Sequence, residues 1–228
     1  MSSVSIASDA FFRPGKAFDE LRVAPTFWLP LLLLTLASTA LVAAYFLHVD
    51  LAWFNDQLVA NEPQLQKLSR TQAIPMMSRA ALLGTSVVSV LFVIPLMRLA
   101  EACFYSLAGK LADAQASFGR WMALACWSSL PLLLPVVVSL GALALDRNGQ
   151  LMQEQLDLLS LNQLVFQLAP GHKAYTLANT LTIVHPWAWA LGVIGVHRLT
   201  RRSWTFAVAI GLLPWLAVYG AWLAISLA

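Results

Sequence analysis

Charge is what this chain has least of. Asp, Glu, Lys and Arg together make up 11% of its 228 residues, against about 25% in a soluble domain, and so few charges cannot clothe a water-facing surface. Cysteine is nearly absent as well. Cys103 and Cys126 both lie in or beside apolar stretches, where a thiol packs as a small hydrophobe, and two such residues say nothing about a redox compartment. No metal-ligand cluster, no nucleophile beside a base and no glycine-rich phosphate loop occurs in the sequence. It therefore assigns no catalytic residue, no metal and no cofactor, and the reading is of a protein that is not an enzyme. The pI near 9.1 suggests nucleic acid at first sight, but the 14 Lys and Arg residues sit at the ends of apolar stretches. They form no stripe interleaved with polar contacts, and a nucleic-acid partner is excluded on that ground.

What the chain does have is hydrocarbon. Apolar residues make up 59% of it, and the mean hydropathy is +0.71. Five apolar stretches, 27–47, 80–100, 121–145, 175–197 and 204–228, each approach the ~20 residues needed to cross a ~30 Å hydrocarbon core. The expected fold is all-α: a polytopic membrane helical bundle of five transmembrane helices with amphipathic interfacial helices. Residues 1–26 read as a cytoplasmic N-terminal arm with a short interfacial helix, and 27–228 as one five-span membrane domain. The polar preface is too long and the first apolar run too extended for a signal peptide, so the first span is expected to be retained.

Charge asymmetry predicts the orientation. Arg13, Lys16 and Arg22 precede the first span; Arg98, Lys110 and Arg120 join the second to the third; Arg198, Arg201 and Arg202 join the fourth to the fifth. The opposite loops hold only Lys67, Arg70, Arg79, Arg147 and Lys173, spread over many more residues. The positive-inside rule puts the N-terminus in the cytoplasm and the C-terminus outside.

Two longer outward loops, 50–79 and 146–173, are amphipathic. The first sets Leu51, Trp53, Phe54, Leu58 and Val59 against Asp56, Asn61 and Glu62. The second interrupts a leucine-rich run with Gln153, Glu154, Gln155 and Asp157. Each reads either as a helix lying in the interface plane or as an ordinary helix capping the bundle. In the arm, Phe18 and Leu21 against Lys16, Asp19, Glu20 and Arg22 predict a helix over 14–23, stopped by Ala24-Pro25. Every span contains or begins with proline, at Pro30, Pro95, Pro131 with Pro135, Pro186 and Pro214, and such helices bend. Ala188, Gly192 and Gly195 offer a close backbone approach. Trp28, Trp121, Trp204 and Trp222 mark segment ends in the manner of an aromatic belt.

Polar residues inside spans are the candidate functional positions. Arg98 and Glu101, three apart on one helix face, form either a structural ion pair snorkelling toward headgroups or a polar site facing a crevice. His185 precedes Pro186, at mid-membrane or at the outer interface. A lone histidine holds no metal, and as a proton carrier it needs a carboxylate, of which the spans offer only Glu101, expected near the opposite face. Ser128, Ser129 and Ser139 are expected to bond the preceding helical turn or a neighbour.

Particular stretches resemble a known family. Phe12-Arg13-Pro14-Gly15-Lys16-Ala17-Phe18 is similar to the start of the Yip family, the Ypt/Rab-GTPase-interacting five-span membrane proteins. So is Ile94-Pro95 through Tyr105, Gly109-Lys110 and Ser117-Phe118-Gly119-Arg120 to Ser129-Leu130-Pro131. Trp187 to Gly195, the Arg-rich hinge and Trp204 to Trp215 resemble its last two spans. Where members often carry a Gly-Gly pair before the Ser-Phe turn, this chain has Asp113-Ala114-Gln115-Ala116. The resemblance implies a helical bundle with a cytoplasmic N-terminus and an outward C-terminus. Its eukaryotic members are linked to Rab GTPases and vesicle traffic. The shorter arm and a composition rich in Ala, Leu and Arg but poor in Lys point instead to a bacterial inner membrane, so the fold carries over and the Rab role does not. The expected function is organising membrane, or binding lipids, membrane-protein partners or a second copy of the chain. The alternative is a small transporter, channel or lipid scramblase using Arg98, Glu101 and His185.

Overall fold

In the computed structural model, which describes residues 3–61, 78–114 and 116–227, the protein is helical. The N-terminal arm forms α1 (Ser3–Phe12) and α2 (Pro14–Val23). Proline opens α2 where its missing N–H costs nothing, and the helix stops just ahead of Pro25. Helix α1 was not expected; Ile6 and Ala10, four apart, give it a buried stripe. There follow α3 (Trp28–His48), α4 (Leu51–Asn61) and α5 (Arg79–Leu111). Beyond them come α6 (Phe118–Ser128), a single 3-10 turn (Leu130–Leu132), α7 (Leu133–Leu145), α8 (Gln153–Leu156), α9 (Tyr175–Thr180), α10 (His185–Thr200) and α11 (Trp204–Leu227). Among the described residues four segments are long and apolar enough to cross a membrane: α3, α5, Phe118–Leu145 and Trp204–Ser226.

Proline shapes two of the expected spans differently. Pro131 converts the middle of the third into a 3-10 turn while the axis continues into α7. Pro186 divides the fourth: α9 ends at Thr180, and α10 begins only at His185. A helix running through 182–186 would set the Pro186 ring against the carbonyl of Thr182 and leave that carbonyl without its N–H. Instead Thr182 bridges Ser160, and Leu161 N donates to Leu181 O at 2.7 Å.

The chain divides into two compact units. The first gathers Met1–Thr35, Val93–Leu134 and Ile183–Ala228. Its core is aromatic and aliphatic, with Phe18, Leu21, Tyr105, Trp121, Leu124, Trp127, Leu191 and Val196 almost wholly enclosed. Helix α10 packs on α2, α6 and α11. A Cβ on Gly195 would fall inside Leu124 and against Phe18, so the glycine sets how closely α10 approaches α6 and α2. Trp127 Nε1 donates to Thr26 O at 2.6 Å, tying α6 to the start of the first span.

The second unit holds Leu36–Phe92 and Pro135–Thr182. Tyr45, Phe46 and Phe54 meet edge to face, with centroids 5.0–6.3 Å apart, and Val42, Val49, Leu143 and Leu156 complete the core. The last carbonyls of α3 are capped by a side chain: Arg79 donates to Phe46 O and, at 2.9 Å, to Val49 O, a cation where the helix dipole favours one. Asp50 Oδ1 accepts from the N–H groups of Ala52 and Trp53 and opens α4. Glu62, Lys67 and Arg70 lie outside the described residues. The other long loop, 146–173, contains α8 and a π-type turn, Asn162–Phe166, whose Leu164, Val165 and Phe166 are exposed.

Candidate functional site

The polar residues expected inside the spans gather in the first unit. Arg98 and Glu101 lie on one face of α5, are both buried, and pair at 2.6 Å through Arg98 Nη1 and Glu101 Oε2. The same guanidinium nitrogen donates to Ser129 Oγ and, at 3.4 Å, to Ala125 O. Ser129 Oγ in turn donates to Ala125 O at 2.8 Å, so the serine bonds its own preceding turn, as its place in a span predicts, and also receives the arginine. Ser129 and Ala125 stand four apart at the end of α6, which brings this hydroxyl and the Ala125 carbonyl to one face. The other carboxylate oxygen, Glu101 Oε1, accepts from Tyr105 Oη at 3.2 Å, and Tyr105 reaches Gly211 O on α11 at 3.4 Å.

Above the ion pair lies an aromatic column. The Arg98 guanidinium carbon sits 5.5 Å from the Trp215 ring centroid, within cation–π range. Trp215 stacks on Tyr219 one turn along α11, at 6.3 Å and 21°. Tyr219 meets His185 edge-on at 6.0 Å, and His185 meets Trp189 at 5.9 Å. His185 therefore stands at one end of the column and the ion pair at the other, with two aromatic rings of α11 between them. No group of three or more His, Cys, Asp or Glu suited to a metal occurs among the described residues.

Arg98 and Glu101 were legible as a pair because they are three apart in one apolar run. Ser129, Tyr105 and Trp215 were not, since each joins from another turn or helix. The spacing Arg98, Glu101, Tyr105 does repeat the i, i+3, i+7 stripe of one face, and Tyr105 could have been read from it. Chemically, Arg98 Nη1 is engaged by a carboxylate, a hydroxyl and a carbonyl, the guanidinium faces an indole, and both oxygens of Glu101 are occupied.

A family model, the Yip1 domain, matches residues 8–225, nearly the whole chain. No curated protein and no solved structure matches it.

Proposed function

The chain belongs to the Yip1-domain family of multi-pass membrane proteins, and from that premise we propose that it organises the bilayer rather than passing solute through it. It acts without catalysis, in a bacterial inner membrane, holding lipids, membrane-protein partners or a second copy of itself. Its arm, residues 1–26, lies in the cytoplasm and carries the interfacial helices, and residues 27–228 form the five-span domain.

The observation that carries this reading is the engagement of Arg98 Nη1 and of both Glu101 oxygens by neighbouring protein groups. A charge that serves a permeation path keeps a side toward substrate or water; the bonds of this pair that the structure gives go to Ser129, Ala125 and Tyr105, and the guanidinium faces Trp215. The pair acts as a pin between α5, the C-terminal end of α6 and α11. Reconstitution at high protein density tests the proposal: vesicles are expected to change shape and lipid order relative to protein-free controls. Vesicles that keep both would overturn it.

A second reading rests on the divided fourth span. Helices broken within the membrane are the usual makings of transport sites, and here the break adjoins His185 and its aromatic column. A conduit would show flux of ions or labelled lipid above empty liposomes, and joint replacement of Arg98 and Glu101 by Ala would abolish it in a bundle that still folds. Flux that persists in that variant would remove the pair from any path.

A further inference from the structure

The arm and the end of α10 enclose a charged recess that the central cluster does not use. It has a volume of about 370 Å³ and is lined by Asp19, Arg22, His197, Arg198 and Arg201. Three guanidiniums thus face one carboxylate, and that carboxylate is already held by Arg198 at 3.3 Å. Among the described residues neither Arg22 nor Arg201 has an ion-pair partner, and Arg22 Nε is buried with no hydrogen-bond partner. A buried donor left so costs free energy until an acceptor arrives. Lys16, nearby, is occupied by Asp9 at 2.6 Å and Glu20 at 3.6 Å; these partners raise its pKa.

The local sequence builds this recess. A Cβ on Gly15 would stand 2.7 Å from Arg198 Nη2, so it is the glycine that lets Arg198 lie across α2 toward Asp19. Arg201 ends α10 in the left-handed conformation, with φ +55°, and its N–H closes on His197 O at 2.8 Å. The His197 ring stacks on Trp204 at 4.0 Å, setting an exposed indole at the rim. Sharing Asp19, Arg22 and Arg198 as walls is a groove of about 1030 Å³, lined further by Lys16, Glu20 and Thr26 and, on its apolar side, by Ile6, Val23, Ala24 and Pro25.

We propose that the recess binds the phosphate of an anionic phospholipid, with the glycerol and first acyl carbons along the apolar side of the adjoining groove, formed by Ile6, Val23, Ala24 and Pro25. This deepens the lipid-holding part of the reading above and rests on it. The charge is complementary: guanidiniums present forked donors that suit phosphate oxygens, and basic pockets beside membrane helices select anionic headgroups. A free phosphate compound shares the headgroup chemistry but has no use for the groove, and it is the groove that assigns a lipid.

The test is native mass spectrometry of the full chain in detergent micelles, titrated with phosphatidylglycerol or with phosphatidylcholine of the same acyl chains. Wild type is expected to prefer phosphatidylglycerol by about tenfold. R22Q/R201Q is expected to lose that preference, while R147Q/K173Q, which removes as much charge elsewhere, retains it. Equal binding of the two lipids by wild type, or equal loss in both double variants, would overturn the proposal. Displacement of the lipid by micromolar inorganic phosphate would also overturn it, in favour of a free-anion site. Should R22Q/R201Q fail to fold, the headgroup preference of wild type and its loss in about 0.5 M salt still decide the question. The two readings fail separately: loss of headgroup preference leaves the vesicle-shape assay standing, and unchanged vesicles leave the preference standing.

Discussion

Arg98 and Glu101 show what a charged pair in a span must do to persist. Each alone is costly in hydrocarbon, and together they are offset by mutual attraction and by the hydrogen bonds that complete their shells. If the pair is a pin, removing one partner strands the other. Glu101→Leu is expected to cost about 3–5 kcal/mol, whereas Arg98→Met with Glu101→Leu stays within about 1 kcal/mol of wild type or exceeds it. Unfolding in detergent read by helicity checks this, and a double variant as damaged as the single one would sink the pin. Asp157, in the loop 146–173, gives a pH test. Burial, and then the charge of Glu154, push its carboxyl up to about 6 from 3.8, against an opposing hydrogen bond from Ser139. The folded chain thus holds this proton more tightly than the unfolded one. Stability from this group is complete below about pH 4 and is lost as pH rises through 6, by at most about 3 kcal/mol. Wild type should accordingly melt at lower temperature at pH 7.5 than at pH 5, and Asp157→Asn should remove most of that difference. A difference of the same size in the variant would assign it to other groups.

At the scale of elements, legibility followed the range of the forces. The first, second and fifth spans were readable because an apolar run of sufficient length has no other stable use, and the helix at Pro14–Val23 because proline, an apolar stripe and a second proline bracket it. The start of the fourth span was open between Tyr175 and Leu181; in the structure α9 ends at Thr180 and α10 begins at His185. Hydropathy does not register this break, and Ser160, which bridges Thr182 within it, lies more than twenty residues earlier. The same limit hid Ser129 and Trp215 from the candidate site, since helix register against a neighbour is a tertiary property. The small residues of α10 were legible as a close approach but not as a contact with any given side chain. Gly195 now has named neighbours, Leu124 and Phe18. Gly195→Leu is expected to destabilise by about 1–3 kcal/mol or more through overpacking. Gly84→Leu is the control, because a Cβ there meets nothing within 4 Å. Similar melting temperatures for the two variants would show that α10 does not pack as described.

For the whole molecule, the number of crossings turns on the fourth expected span, which is divided, whereas the other four segments are long enough to cross without a break. Length alone leaves it close: the 16 residues of α10 reach about 24 Å, short of a ~30 Å core by an amount that bilayer thinning and snorkelling arginines absorb. Parity decides more firmly. Asp19, before the first span, pairs with Arg198, after the fourth, at 3.3 Å, and Arg202 donates to Ala112 O, between the second and third. Groups in contact lie on one side of the membrane, so an even number of crossings separates each pair. If the first three spans cross, this parity favours a crossing by the segment 175–197 as well. In the proposed orientation α11 then takes the C-terminus to the side opposite the arm, and the positive-inside rule makes the arm's side the cytoplasm. Fusions at the C-terminus are therefore expected to show alkaline phosphatase activity and dark green fluorescent protein, while cysteines placed at Ser3 and Ser203 both stay shielded from an impermeant maleimide in intact cells. A fluorescent C-terminal fusion with Ser203 still shielded would mean that α11 re-enters rather than crosses. Labelling at position 203 but not at 3 would separate the hinge from the arm, and with it the recess that both of them line.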